Sequence, residues 1–132
     1  MTNPCVANPP YMGRSVDDWL ATEDNDEWSQ MMRKVAAFHH KHDFAGNNGH
    51  DMGYRIALTV EELGELAAAI TKGKPIEEVA EEMADIMILL MGHSLAMKVD
   101  LKAAFESKYE RIMQRNSRQG RLGIRVTEYT GE

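Results

Sequence analysis

Two acidic steps set inside apolar helical patterns constrain this chain more than any other feature. They are Glu61-Glu62-Leu63-Gly64-Glu65 and Glu81-Glu82-Met83-Ala84-Asp85. Three residues turn an α-helix by about 300°, so Glu62 and Glu65 share one face, and Glu82 and Asp85 share another. The second step runs directly into Ile86-Met87-Ile88-Leu89-Leu90-Met91, which is core in character. A solvated acidic face would explain a lone E-x-x-E step. A metal site is favoured over that reading here, because the second step opens a segment of core character and Asp85, a poor helix former, sits in mid-helix. Two such helices side by side bring four carboxylates together, and that charge is costly without a cation. Hard oxygen donors in a cluster suit Mg²⁺, with Mn²⁺ the alternative. Such ions most often serve to bind and cleave phosphates.

The chain has 132 residues, enough for one domain, and 43% are hydrophobic. Its 15 basic and 21 acidic residues give a net charge of −6, which argues against a nucleic-acid polymer as partner. A free nucleotide is different, because a metal can bridge two anions. Cys5 is the only cysteine, so no internal disulfide forms, which fits a reducing cytoplasm. Residues Met1 to Arg14 lack the apolar core of a signal peptide, and the run Met83 to Met91 is too short to span a membrane.

Residues 1–14, with Pro4, Pro9, Pro10 and Gly13, read as a flexible arm. Ser15 and Asp18 form the capping pattern of a short helix. A longer helix is expected over Glu27 to His42, with Trp28, Met31, Val35 and Phe38 on its apolar face. A Gly- and Asn-rich loop follows, from Phe44 to Asp51. The next helix is expected over Met52 to Lys72, with Ile56, Val60, Leu63, Ala67 and Ile70 as its apolar stripe and Gly73 as its stop. Pro75 is placed at the first position of a helix running to Lys98, with Glu77 and Glu78 in its first turn. That helix is apolar nearly all round and must be covered on every side, so a homo-oligomer is expected. A last helix is expected from Asp100 to Asn116. Residues 15–118 then form one all-α domain, and 119–132 a tail with the makings of a strand or hairpin.

The pattern Glu-Glu-x-x-Glu, sixteen residues, Glu-x-x-Asp resembles the MazG-like all-α nucleoside triphosphate pyrophosphohydrolases. That superfamily includes the small dCTP pyrophosphatases, dimeric dUTPases and phosphoribosyl-ATP pyrophosphohydrolases. The resemblance covers about residues 28–118. It implies a four-helix-bundle-like fold assembled as a homodimer or a dimer of dimers. It also implies Glu62, Glu65, Glu82 and Asp85 as metal ligands. Glu61 would be a further ligand or the base that orients water.

Other residues could serve a phosphate substrate. Lys108, Arg111, Arg115 and Arg118 follow one another at spacings of three, four and three, which makes one basic stripe on the last helix. Arg forks suit phosphate oxygens, although cations at a helix end are also favoured by its dipole. By resemblance, Lys108, Asn116 and Arg118 match a Lys, Asn, Arg/Lys set that binds substrate, although the interval from Lys108 to Asn116 is longer than in the dCTP pyrophosphatases. His93 shares a face with Glu82 and is either a phosphate or sugar contact or a satisfied core histidine. Trp28 and Phe38 offer π-faces for a base, or plain packing. Arg55 lies near the face of Glu62 and could pair with it or reach phosphate. His39, His40, His42 and His50 are read as a wet helix end in preference to a transition-metal cluster.

The expected activity is Mg²⁺-dependent cleavage of the α–β phosphoanhydride of a nucleoside triphosphate, giving monophosphate and pyrophosphate in nucleotide-pool clearance. Phosphoribosyl-ATP hydrolysis is the alternative enzyme, and a non-catalytic helical binding module the alternative class. A ferritin-like di-iron site is excluded because no histidine has Glu three residues before it.

Overall fold

The structure, a computed structural model, describes residues 11–127. Cys5, most of the expected N-terminal arm and the last five residues of the C-terminal tail lie outside that range. The chain is all-α in class, as expected. Its helices are α1 (Val16–Ala21), α2 (Glu27–Lys41), α3 (Met52–Thr71), α4 (Ile76–Met97) and α5 (Leu101–Met113), with a 3₁₀ turn at Ala45–Asn47. Two short strands, β1 (Asn116–Gln119) and β2 (Ile124–Thr127), follow. No helix among the described residues is long and apolar enough to cross a membrane.

Local chemistry sets the helix ends. Ser15 and Asp18 close a reciprocal capping box on α1. Asp26 caps α2 by accepting from Ser29 N at 3.0 Å, and Asp51 caps α3 by accepting from Tyr54 N at 2.9 Å. Gly73 leaves α3 at φ +64°, a conformation open to glycine at no steric cost. Pro75 stands at the N-cap of α4, one place earlier than expected.

The described residues divide into two compact units, one up to Asp100 and one from Leu101 on. In the first, α3 lies along α4, and α2 packs on α1 and α4. Met32, Val35, Ala36, Met91 and Leu95 form the core, with Val16, Trp19, Trp28 and Met31 packed around it. Residues 11–13 belong to this unit and are not free. Met12 bridges Val99, Gly13 N donates to Lys98 O, and Asp100 N donates to Tyr11 O.

The inward face of α3 differs from the expected stripe. Arg55 and Ala69 are buried, and Leu58, Thr59, Glu62 and Leu66 are half-buried. Ile56, Val60, Leu63 and Ile70, one step round the helix, are exposed. The inward face of α4 runs through Val79, Glu82, Ile86, Leu89 and His93. A glutamate therefore stands in the inward stripe of each of two adjoining helices.

The second unit consists of α5 and the antiparallel hairpin, in which Asn116 faces Thr127 and Gln119 faces Ile124. Helix α5 stops at Met113, three residues short of the expected end. Pairing across the 120–123 turn demands four residues on each side, which draws Asn116 to Gln119 into the ladder.

Candidate metal centre and adjoining cavity

Because Glu62 and Glu82 both sit on inward faces, the packing of α3 on α4 forces their carboxylates together. Glu62, Glu82 and Asp85 each place a carboxylate oxygen within 4.8 Å of the others. Oε2 of Glu62 and Oε2 of Glu82 are buried and accept no hydrogen bond. A buried acceptor without a donor is expensive, and two facing each other more so. Lost solvation first, then the charges of Glu65 and Asp85, push the Glu62 carboxyl up to about 7. Glu82 is raised as well, by lost solvation and then by its hydrogen bonding with Glu65. Orphaned, crowded, all-oxygen donors fit a hard divalent cation and little else.

The other two acidic candidates stand differently. Glu65 is exposed and outside the tight group of three, yet close enough to raise both Glu62 and Glu82. Glu61 is exposed and outside the group, because one helical residue turns it about 100° from Glu62.

A cavity of about 660 Å³ opens beside the carboxylates. Glu62 and Asp85 stand in its wall, together with Arg55, Leu58, Ala84, Met87, Ile88, Leu89 and Met91 from the same two helices. Helix α2 contributes Met31, Lys34, Val35, Phe38 and His39, and the following loop contributes Phe44. The Phe38 and Phe44 rings meet edge to face at 5.2 Å between centroids. The chamber thus joins an anionic mouth to an apolar, aromatic wall with two cations, the exposed ammonium of Lys34 and the almost wholly enclosed guanidinium of Arg55.

Two residues expected at the site lie elsewhere. Trp28 packs against the core and is not in the cavity wall. His93 is buried with both ring nitrogens engaged, the arrangement of a satisfied core histidine. Arg55 Nε donates to His93 Nδ1 at 2.9 Å, and Thr59 Oγ1 lies 2.8 Å from His93 Nε2. Since the guanidinium can only donate, Nδ1 accepts, and the neutral ring donates through Nε2. Burial and the nearby Arg55 lower the pKa of His93, in keeping with a neutral ring.

The histidine-rich helix end is drier than expected. His39 is 2% exposed, and its Nδ1 lies 2.9 Å from Nε2 of His50. Burial first, then the charge of Arg55, pushes His39 down to about 4. His40 and His42 are exposed. Among the described residues the candidate metal ligands are carboxylates, and no histidine joins them.

The basic candidates belong to the second unit. Lys108 and Arg111 are on α5, Arg115 follows its end, and Asn116 and Arg118 lie on β1. They do not make one helical stripe, because the helix has ended before Arg115. Sequence reasoning missed Lys34 and Phe44. Lys34 was legible in principle, since Met31, Lys34, Val35 and Phe38 share one helical face. Phe44 was not, because a loop carries no periodic signal.

Residues 30–111 match the family model described as phosphoribosyl-ATP pyrophosphohydrolase. No curated protein and no solved structure matches the chain.

Proposed function

The chain belongs to the phosphoribosyl-ATP pyrophosphohydrolase family, hydrolases of phosphoanhydride bonds, and on that premise we propose that it cleaves the α–β linkage of a nucleoside triphosphate. The observation that carries this reading is the adjacency of the crowded carboxylates to a chamber with aromatic walls. A triphosphate needs the first, and a nucleoside needs the second.

Glu62, Glu82 and Asp85 hold the divalent ion, Mg²⁺ or Mn²⁺, with Glu65 at its margin. Bound there, such an ion supplies charge neutralisation for phosphate oxygens and acidity for water. Phe38 and Phe44 give the base a π-face, and Met31 and Met87 exclude water around it. Lys34, in the wall of the same chamber, offers a cation for a phosphate or sugar oxygen. In the reaction a water oxygen bonds to phosphorus and the bridging P–O bond breaks. Monophosphate and pyrophosphate leave, and the proton passes to a carboxylate. Glu65 takes that proton in this reading in preference to Glu61, supported by its closeness to Glu62 and Glu82.

Phosphoribosyl-ATP is the second reading, favoured by the description of the matching family. It presents the same triphosphate linkage with a bulkier purine end. Self-association is part of the proposal, because apolar residues of α3 and α4 such as Val60, Leu63 and Leu90 stay exposed in the single chain. A set of nucleoside triphosphates plus phosphoribosyl-ATP, assayed with Mg²⁺ for pyrophosphate and monophosphate, tests the reaction. Turnover absent from Asp85→Asn supports it. Absence of turnover with every substrate from a folded, Mg²⁺-binding chain contradicts it.

A further inference from the structure

Arg55 is 2% exposed, a cation enclosed by protein. Among the described residues no carboxylate pairs with it. Its partners are neutral: His93 Nδ1 at 2.9 Å from Nε, Gly49 O at 3.1 Å from Nη1 and Leu89 O at 3.1 Å from Nη2. Burying a guanidinium among neutral acceptors is costly, and a methionine of similar length would fill the space without that cost. Stability alone therefore gives a poor account of an arginine here.

The three contacts reach three different parts of the chamber. Leu89 lies one turn beyond Asp85 on α4. Gly49 belongs to the loop that carries Phe44, and Gly49 N donates to Phe44 O at 2.7 Å. His93 closes a ring back to α3: its Nε2 meets Thr59 Oγ1, which donates to Arg55 O at 2.9 Å. Arg55 itself lies about two turns before Glu62 on α3. One planar group thus ties the carboxylate helices to the loop bearing the aromatic wall. The α4 backbone is pared down to admit it, since a Cβ on Gly92 would overlap Arg55 Nη2 and His39 Nε2.

We propose that Arg55 is a positioning residue that fixes the distance between the carboxylate cluster and the Phe38–Phe44 wall, so that metal-bound triphosphate and base are held together in one ligand. The inference rests on the function proposed above. A fork suits these acceptors, since three separate nitrogens of the guanidinium meet them, whereas an ammonium donates from a single nitrogen. Arg55 acts on ligands that span both ends of the chamber and leaves ligands of one end alone.

The test uses the full chain and two kinds of probe, each with Mg²⁺ in calorimetric titrations. Inorganic tripolyphosphate engages the metal end only, whereas the α,β-methylene analogues of ATP and CTP engage both ends. Arg55→Met is expected to weaken the better nucleotide analogue by about tenfold and tripolyphosphate by less than about twofold. Arg55→Lys is expected to fall with Arg55→Met, and it replaces that variant should Arg55→Met fail to fold. Equal weakening of both probes would mean general loosening and would overturn the proposal, as would full rescue by Lys or an unchanged nucleotide affinity. If the unaltered chain binds neither kind of probe, the function reading itself falls, and the inference with it.

Discussion

Glu62 carries the most consequential electrostatics of any single residue here. Its carboxyl is pushed up to about 7, and ligation requires the proton to leave. Mg²⁺ binding between about pH 5 and pH 7 should therefore release a fraction of a proton per site. Calorimetry in two buffers of different ionisation enthalpy measures that number, which should fall in Glu62→Gln. Stability has the opposite sign without metal. A raised carboxyl means that the folded chain binds more protons than the unfolded one between the ordinary value of 4.5 and about 7. Glu62 therefore favours folding of the metal-free chain as pH falls through that window. His39 opposes it. Pushed down from 6.5 to about 4, it favours folding above 6.5 and loses that contribution as pH falls toward 4. The histidine contribution is common to both forms, so the Tm difference with and without Mg²⁺ isolates the carboxylates. That difference should grow from pH 5.5 to pH 7.5, and a flat profile would contradict the account. The roles within the cluster separate by substitution: Glu65→Gln should lower kcat by at least about tenfold, and Glu61→Gln by less than about threefold. The spacing of the motif was enough to nominate Glu62, Glu82 and Asp85. Helical phase alone could not separate Glu65, at the margin, from the three that meet.

At the scale of the helix, glycine distinguishes the packed side of the α3–α4 pair from its open side. Gly92 lies where Arg55 and His39 press on α4, and Gly64 lies on α3 with nothing within 4 Å of its missing Cβ. Replacing Gly by Ala in a helix gains up to about 1 kcal/mol from propensity. At Gly64 that gain should appear nearly whole in urea denaturation. At Gly92 overpacking of about 1–3 kcal/mol outweighs it, so the same substitution should destabilise. Equal effects at both sites would show that the Arg55–His39 contact with α4 is not tight. Helix existence was legible in the sequence because caps and stops are local: Ser15 and Gly73 each act within a turn. The apolar stripe of α3 was misjudged for a physical reason. Ile56, Val60, Leu63 and Ile70 repeat with helical period, but so do Arg55, Thr59, Glu62, Leu66 and Ala69. Periodicity marks both faces and does not say which one packs on α4. The end of α5 was misjudged because hairpin register, a pairing between segments, overrode the helical continuation.

At the scale of the molecule, the exposed stripe of α3 and the apolar flanks of α4 are the unresolved term in the energetics. Val60 is 61% exposed, Leu63 50% and Leu90 49%, on the pair of helices that also carries the carboxylates. Fully covering one such side chain is worth about 1.5–3 kcal/mol, so a few together can hold two chains at micromolar concentration. The all-round apolar character of α4 is legible from the chain, because a helix without a polar face cannot face water. The cavity is not, since it depends on how α2 meets α4 and where the loop sets Phe44. Self-association would also stiffen the α3–α4 pair on which the spacing of the carboxylates depends. Leu90 is a suitable probe, because it is exposed and absent from the cavity wall. Sedimentation should find the unaltered chain as a dimer or larger at about 10 µM, and Leu90→Glu should shift it toward monomer by burying an unpaired charge. A monomeric unaltered chain would leave α4 to be covered some other way. A monomeric Leu90→Glu that keeps its Mg²⁺ affinity would show that each chain forms its own metal site, in keeping with the grouping of Glu62, Glu82 and Asp85 within one chain.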